Sequence, residues 1–201
     1  VFGMEAEVEG EMRKYLECQG GYRSMVAYQR AYEVMTVNGR FDEALALADQ
    51  AIVQFGQSGI SSRLRVQALM ALKRHTEAIE EARLIDPDAD NAHMLAMALA
   101  AAGRMEEAQA AANTWLDGAE AQLVTRLELY AAMGWRDKTR ELASRVDARP
   151  SGHLILASAV LGCLCGAIFD TADTPNLDDR LQEASLPWPP SKAIDYPANP
   201  W

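Results

Sequence analysis

The sequence predicts an all-α protein, an α-solenoid of about five helical hairpins followed by an extended, Pro-rich C-terminal tail. Three observations carry this expectation. A polar turn, an acidic helix start and an apolar-periodic segment recur four times in tandem, and the recurrences stay close to a fixed period. The last seventeen residues, "SLPWPPSKAIDYPANPW", hold five prolines, which remove backbone donors and fix extended geometry.

Composition agrees with that class. Apolar residues fill 49% of 201 positions, which excludes a disordered chain, and the frequency of Ala favours helix. A formal charge of −10 argues against binding to nucleic acid or to an anionic membrane surface, since both need clustered Lys and Arg. Cys18, Cys163 and Cys165 are too few for a disulfide framework, so a reducing, cytoplasmic setting is expected, with the periplasm as the alternative. Cys163 and Cys165 stand two apart in a helical run and point about 200° away from each other. They read as small buried hydrophobes rather than as ligands of one metal. The first residues are acidic, so no secretory signal is read there.

The elements follow in order. Within residues 1–21, the acidic amphipathic stretch 5–19 is stopped by Gly20 and Gly21 and reads as an N-terminal capping helix. The repeat array spans 22–185, with first helices expected over 22–37, 61–72, 91–102 and 119–133. Each runs into a turn and a second helix: "NGRFDEALALADQA" from Asn38, "LKRHTEAIEEARLIDPD" from Leu72, "AGRMEEAQAAANTW" from Ala102 and "MGWRDKTRELASRV" from Met133. Gly39, Gly103 and Gly134 stand where a chain leaves a helix through left-handed backbone. Asp42, Glu43, Glu106, Glu107 and Asp137 suit the positive end of the next helix. Small residues set the period: Ala44 to Ala78 is 34 positions, Ala78 to Ala108 is 30, and Ala108 to Thr139 is 31. A short helix over 175–184 is expected behind the array, with Thr174 as N-cap and Pro175 at its first position.

The first spacing equals the tetratricopeptide period, and the residues resemble that family. Tyr28, Ala31, Tyr32 and Met35 occupy the places of the Trp, Leu, Gly and Tyr of its first helix. Ala44, Ala48 and Ala51 occupy the small and packing positions of its second, and Pro87 resembles the closing Pro of a unit. Ser62 and Arg65 depart from the pattern at usually apolar places, and the later second helices are shortened. The resemblance covers roughly residues 22–166 and implies a right-handed superhelix whose first helices line a concave, peptide-binding groove.

Carried over position by position, the resemblance makes Gln29, Glu33, Arg63, Gln67, His93, Met97, Val124 and Glu128 the groove candidates, continued by Leu156 and Val160. The family's chaperone-tail clamp needs Lys and Asn where this chain has Val26, Arg30, Ile60, Leu64, Asp90 and Met94, so that ligand is disfavoured. Nothing in the sequence assembles a catalytic, cofactor or metal site. His75, His93 and His153 fall in different units, His75 in a solvated turn and His153 at a helix start. The paired acids point about 100° apart on their helices, and "DPDAD" at 86–90 lacks the Gly and the closing Glu of a calcium loop. The expected function is a non-catalytic scaffold for a protein or peptide. The alternatives are an accessory domain of a larger enzyme and capture of a small apolar ligand at the end of the groove.

One stretch needs a cover. "HLILASAVLGCLCGAIF", residues 153–169, carries no formal charge over seventeen positions. At 1.5 Å per residue it reaches only about 26 Å, short of a bilayer core of about 30 Å, and it lacks aromatic or basic flanks. It falls where a fifth first helix is due, since Gly134 to Gly166 is 32 positions. The tail, 186–201, is expected to fold back on it, with Trp188, Tyr196 or Trp201 packing on Leu156, Val160 and Leu164.

Overall fold

A computed structural model of the chain describes residues 10, 14, 25–37, 39–86, 92–118, 123–152, 156, 173–183 and 194–198. Among these residues the structure is all-helical, with nine helices and no strand. Eight of them come in pairs: α1 (Met25–Val37) with α2 (Phe41–Phe55), α3 (Gly59–Ala71) with α4 (His75–Ala82), α5 (Met94–Ala101) with α6 (Met105–Gly118), and α7 (Leu123–Ala132) with α8 (Arg136–Asp147). The ninth, α9 (Pro175–Glu183), packs on α8. Four readings fall outside the described residues: the capping helix over 5–19 apart from Gly10 and Lys14, Pro87, the three cysteines, and the uncharged run apart from Leu156. No helix among the described residues is long and apolar enough to cross a membrane.

Each pair is joined by the same turn. The residues Gly39, Lys73, Gly103 and Gly134 have φ of 65°, 59°, 72° and 67°. Their N–H groups donate to the carbonyl three residues back, at 2.9 to 3.0 Å. The next residues, Arg40, Arg74, Arg104 and Trp135, donate to the carbonyl five back, all at 2.9 Å. These two bonds satisfy carbonyls that a helix end leaves orphaned, the Schellman arrangement. Arg40, Arg74 and Trp135 then share one conformation, with φ of −87°, −86° and −79° and ψ of 58°, 58° and 69°. Their carbonyls accept the first bond of the following helix, as the Arg104 carbonyl does. One local geometry is therefore written four times into the chain.

A side-chain clasp repeats with it. Arg40, Arg74 and Arg104 each reach forward to Glu43, Glu77 and Glu107, with Nε to Oε1 distances of 2.6, 2.7 and 2.7 Å. In the fourth turn Trp135 takes the place of Arg and Lys138 the place of Glu. There Lys138 Nζ lies 4.1 Å from the Trp135 ring centroid, so a cation–π contact replaces the ion pair. The hydrogen-bonded guanidinium holds the Glu43 and Glu77 carboxyls below the usual carboxylate range, against an opposing desolvation. Their folded pKa values are depressed, so their contribution is present above the unfolded Glu pKa and is lost as pH falls through the folded values. An NMR titration of Glu43 should return to the ordinary Glu range in Arg40→Gln, with Glu77 unmoved.

Lys73 holds without strain relief what Gly holds at the other three turns. A non-glycine residue in left-handed backbone costs about 1–2 kcal/mol, part of which Gly gives back through its freedom in the unfolded chain. The 3.6 Å contact from Lys73 Nζ to Asp195 is solvent-exposed on both sides and adds little. Lys73→Gly is therefore expected to raise stability by about 1 kcal/mol in urea unfolding.

Packing follows from small residues. Ala44, Ala48, Ala78, Ala98, Ala108 and Ala112 have no exposed surface and let helices approach closely. The main core cluster runs from Tyr28 in α1 to Met133 just after α7, and a second gathers α7, α8, Leu156 and α9. Helix α7 divides between them, with Leu129 and Ala132 in the first and Leu127 and Ala131 in the second. Besides the paired contacts, α1 touches α3, α3 touches α5 and α5 touches α7.

Of the two departures from an apolar pattern in α3, Ser62 is buried with no hydrogen-bond partner for its hydroxyl among the described residues, and Arg65 belongs to an ion-pair network. Ser58 and Ser61 form a reciprocal capping box, which starts the helix at Gly59 rather than at Ser61. Arg65 donates to Asp49 in α2 and to the buried Glu81 in α4, both at 2.7 Å, while Gln57 also reaches Glu81 at 3.2 Å. One guanidinium thereby ties three helices. His75, read as a solvated turn residue, is instead the first residue of α4 and half-buried, with Nδ1 enclosed.

Candidate groove and the C-terminal segment

The eight groove candidates divide by burial. Gln29 and Glu33 are half-buried on α1, joined by a 3.2 Å hydrogen bond from Gln29 Nε2, and Arg30 donates to Glu33 at 2.6 Å. Arg63 on α3 and Val124 on α7 are also half-buried, and the enclosed Arg63 Nε has no acceptor among the described residues. The other four are covered. Gln67, His93 and Glu128 are each 4% exposed, and Met97 belongs to the main core. His93 directly precedes α5 and rests its ring on Trp115 of α6, centroids 5.2 Å apart and tilted by 55°. Aromatic support of this kind gives His93 a packing role. The four half-buried positions are thus the ones with surface left for a ligand.

Of the six tail-docking residues, Val160, Leu164, Trp188 and Trp201 lie outside the described residues. Leu156 is fully buried, with Leu127 of α7, Leu142 and Val146 of α8, and Leu177 and Leu181 of α9. Tyr196 is 4% exposed, but it belongs to the main cluster and not to the one that holds Leu156. Tyr196 and Leu156 thus stand in separate clusters, while the other residues of that expectation lie outside the described ones. Helix α9 fills the space beside Leu156, while the Tyr196 ring joins the core of the preceding hairpins.

Three observations locate that segment. Ile194 and Tyr196 are buried and Asp195 between them is exposed, the period-two alternation of extended chain, before a turn at Pro197 and Ala198. Asp195 faces Lys73 in the turn between α3 and α4. The carbonyl of Ala198 lies so close to Gly134, in the turn between α7 and α8, that a Cβ added there would stand 2.2 Å from it. Only Gly satisfies both demands at position 134, positive φ and backbone contact. At Gly103, between these two turns, an added Cβ would meet nothing within 4 Å. Residues 194–198 thus reach the edge formed by the inter-helix turns.

A residue missed from the sequence organises the far end. Asp147, the last residue of α8, is buried, and its two carboxylate oxygens accept the N–H groups of Asn176 and Leu177 at 2.9 and 3.0 Å. Asn176 Nδ2 returns a 3.0 Å bond to the Asp147 carbonyl. Pro175 has no N–H to satisfy, so the carboxylate caps the next two donors of α9. The available signal was an acid in the last turn of a helix, where the dipole disfavours it. Beside this cap is an open recess of about 420 Å³ lined by residues including Arg149, Ser151 and Arg180. Among the described residues no group of His, Cys, Asp and Glu is placed to hold a metal ion. No family model, no curated protein and no solved structure matches the chain.

Proposed function

We propose that the chain is a tetratricopeptide-like, right-handed solenoid that acts as a non-catalytic scaffold for a protein or peptide. The observation that carries this reading is the contact of α1 with α3, α3 with α5 and α5 with α7, joined to four copies of one turn. A helix that touches both its hairpin mate and the first helix of the next unit belongs to a stack with one continuous face. On that face Gln29, Arg63 and Val124 keep part of their surface open. Such a lining suits an extended ligand with an acidic or carbonyl group near Arg63 and an apolar one near Val124.

Selection of displayed peptides on the immobilised chain tests this. Enriched peptides should share a pattern, and Arg63→Glu should weaken their binding at least tenfold. Failure to enrich any peptide, or binding indifferent to Gln29, Arg63 and Val124 alike, would refute the reading.

A further inference from the structure

We infer that the edge formed by the inter-helix turns is a recognition site for an extended peptide with an aliphatic and an aromatic anchor two residues apart, and that residues 194–198 are its resident ligand. The inference rests on the scaffold reading and gives that scaffold a defined ligand class. Three features of the segment match a bound peptide rather than a folded element. It makes no helix, and its side chains alternate between core and solvent. Ile194 and Tyr196 enter the core formed by helices more than sixty residues earlier in the chain. The exposed Asp195 and the backbone of Ala198 meet two different turns, at Lys73 and at Gly134.

The chemistry of the ligand is read from these contacts. Apolar anchors at the first and third positions supply the buried area, and period-two spacing sends the residue between them to solvent. Proline at the fourth position needs no donor partner, and with Ala198 it turns the chain after the second anchor. The fifth residue must let its backbone approach Gly134, which favours a small side chain such as that of Ala198. A partner segment with the pattern aliphatic–acidic–aromatic–Pro–small would take the same seat once the resident one leaves. Because the resident segment is tethered, its effective concentration is in the millimolar range for a short linker, so a free competitor binds the intact chain weakly.

The test keeps the full chain. A protease cleavage sequence is inserted within residues 184–190, the protein is cut under native conditions, and a fluorescent peptide of residues 191–201 is titrated in. The peptide should exchange saturably onto the cut chain and bind the uncut chain at least tenfold more weakly. A peptide carrying Ile194→Ser and Tyr196→Ala should lose at least tenfold in affinity. A second variant avoids cutting: uncut Tyr196→Ala should bind the native peptide at least tenfold more tightly than the uncut parent does. Equal binding of cut and uncut chains, indifference to the two anchors, or loss of helix on cutting would each overturn the inference. Display-selected peptides that depend on Arg63 while the 191–201 peptide fails to bind would overturn this inference and leave the scaffold reading standing.

Discussion

Replacing Asp147 by Ala is expected to cost about 3 kcal/mol in urea unfolding. Two backbone donors at the start of α9, one of them on the buried Leu177, would lose their acceptor, and each unsatisfied buried donor costs roughly 1–3 kcal/mol. The carboxylate also faces the positive end of the α9 dipole, an interaction of about 0.3–1 kcal/mol that Ala removes. Loss of the cap would loosen α9 from α8 and from Leu156, which shares one cluster with α7, α8 and α9. Asp147→Asn keeps one side-chain carbonyl and should recover about half of the loss. Amide exchange at Leu177 and Leu181 should rise in Asp147→Ala well before it rises in α3 or α5. Equal exchange throughout would mean that α9 does not depend on the cap.

Tyr196→Ala is expected to be of similar size. Removing a fully packed aromatic side chain costs about 3–5 kcal/mol when the surroundings do not collapse into the space. Tyr196 lies in an extended segment that can withdraw, so the lower end, about 3 kcal/mol, is expected in thermal or urea unfolding. The same substitution should expose apolar core surface and increase binding of a hydrophobic dye. A loss under about 0.5 kcal/mol, the range of ordinary surface changes, would show that the ring is not part of the core.

Much of the architecture was legible from local signals. The four turns were readable because one residue type, Gly at 39, 103 and 134, reports a backbone conformation, and because acids at fixed offsets report a helix start. The period of small residues then located the second helices. Lys73 was harder, because the turn geometry is imposed there by its neighbours and not by the residue itself. Arg65 could be seen as an exception but not explained, since its partners Asp49 and Glu81 each lie 16 positions away, on the neighbouring helices.

The site was less legible for a related reason. Matching positions to a helical-hairpin pattern tells which side of a helix a residue occupies, not what covers it. His93 and Met97 were on the expected helix or at its start, yet Trp115 and the core close over them. Tyr196 offered an aromatic in need of a partner, but a Pro-rich segment has no period that would fix its direction. Gly134 in turn carried one signal, the turn, while serving two purposes.

That double role gives the most direct test of the claim that the C-terminal segment is seated on the turns of the repeated hairpins. Gly103→Ala and Gly134→Ala impose the same left-handed strain, about 1–2 kcal/mol each, at the same place in two hairpins. Only at Gly134 does the new Cβ also collide with the Ala198 backbone. Urea unfolding of both variants, alone and combined with Tyr196→Ala, separates the two terms. Gly134→Ala should cost at least about 1 kcal/mol more than Gly103→Ala, and that excess should vanish once Tyr196→Ala has released the segment. Gly103→Ala and Tyr196→Ala should add within about 0.5 kcal/mol. Equal costs for the two glycines, with both pairs additive, would contradict the seating of the segment on the turns.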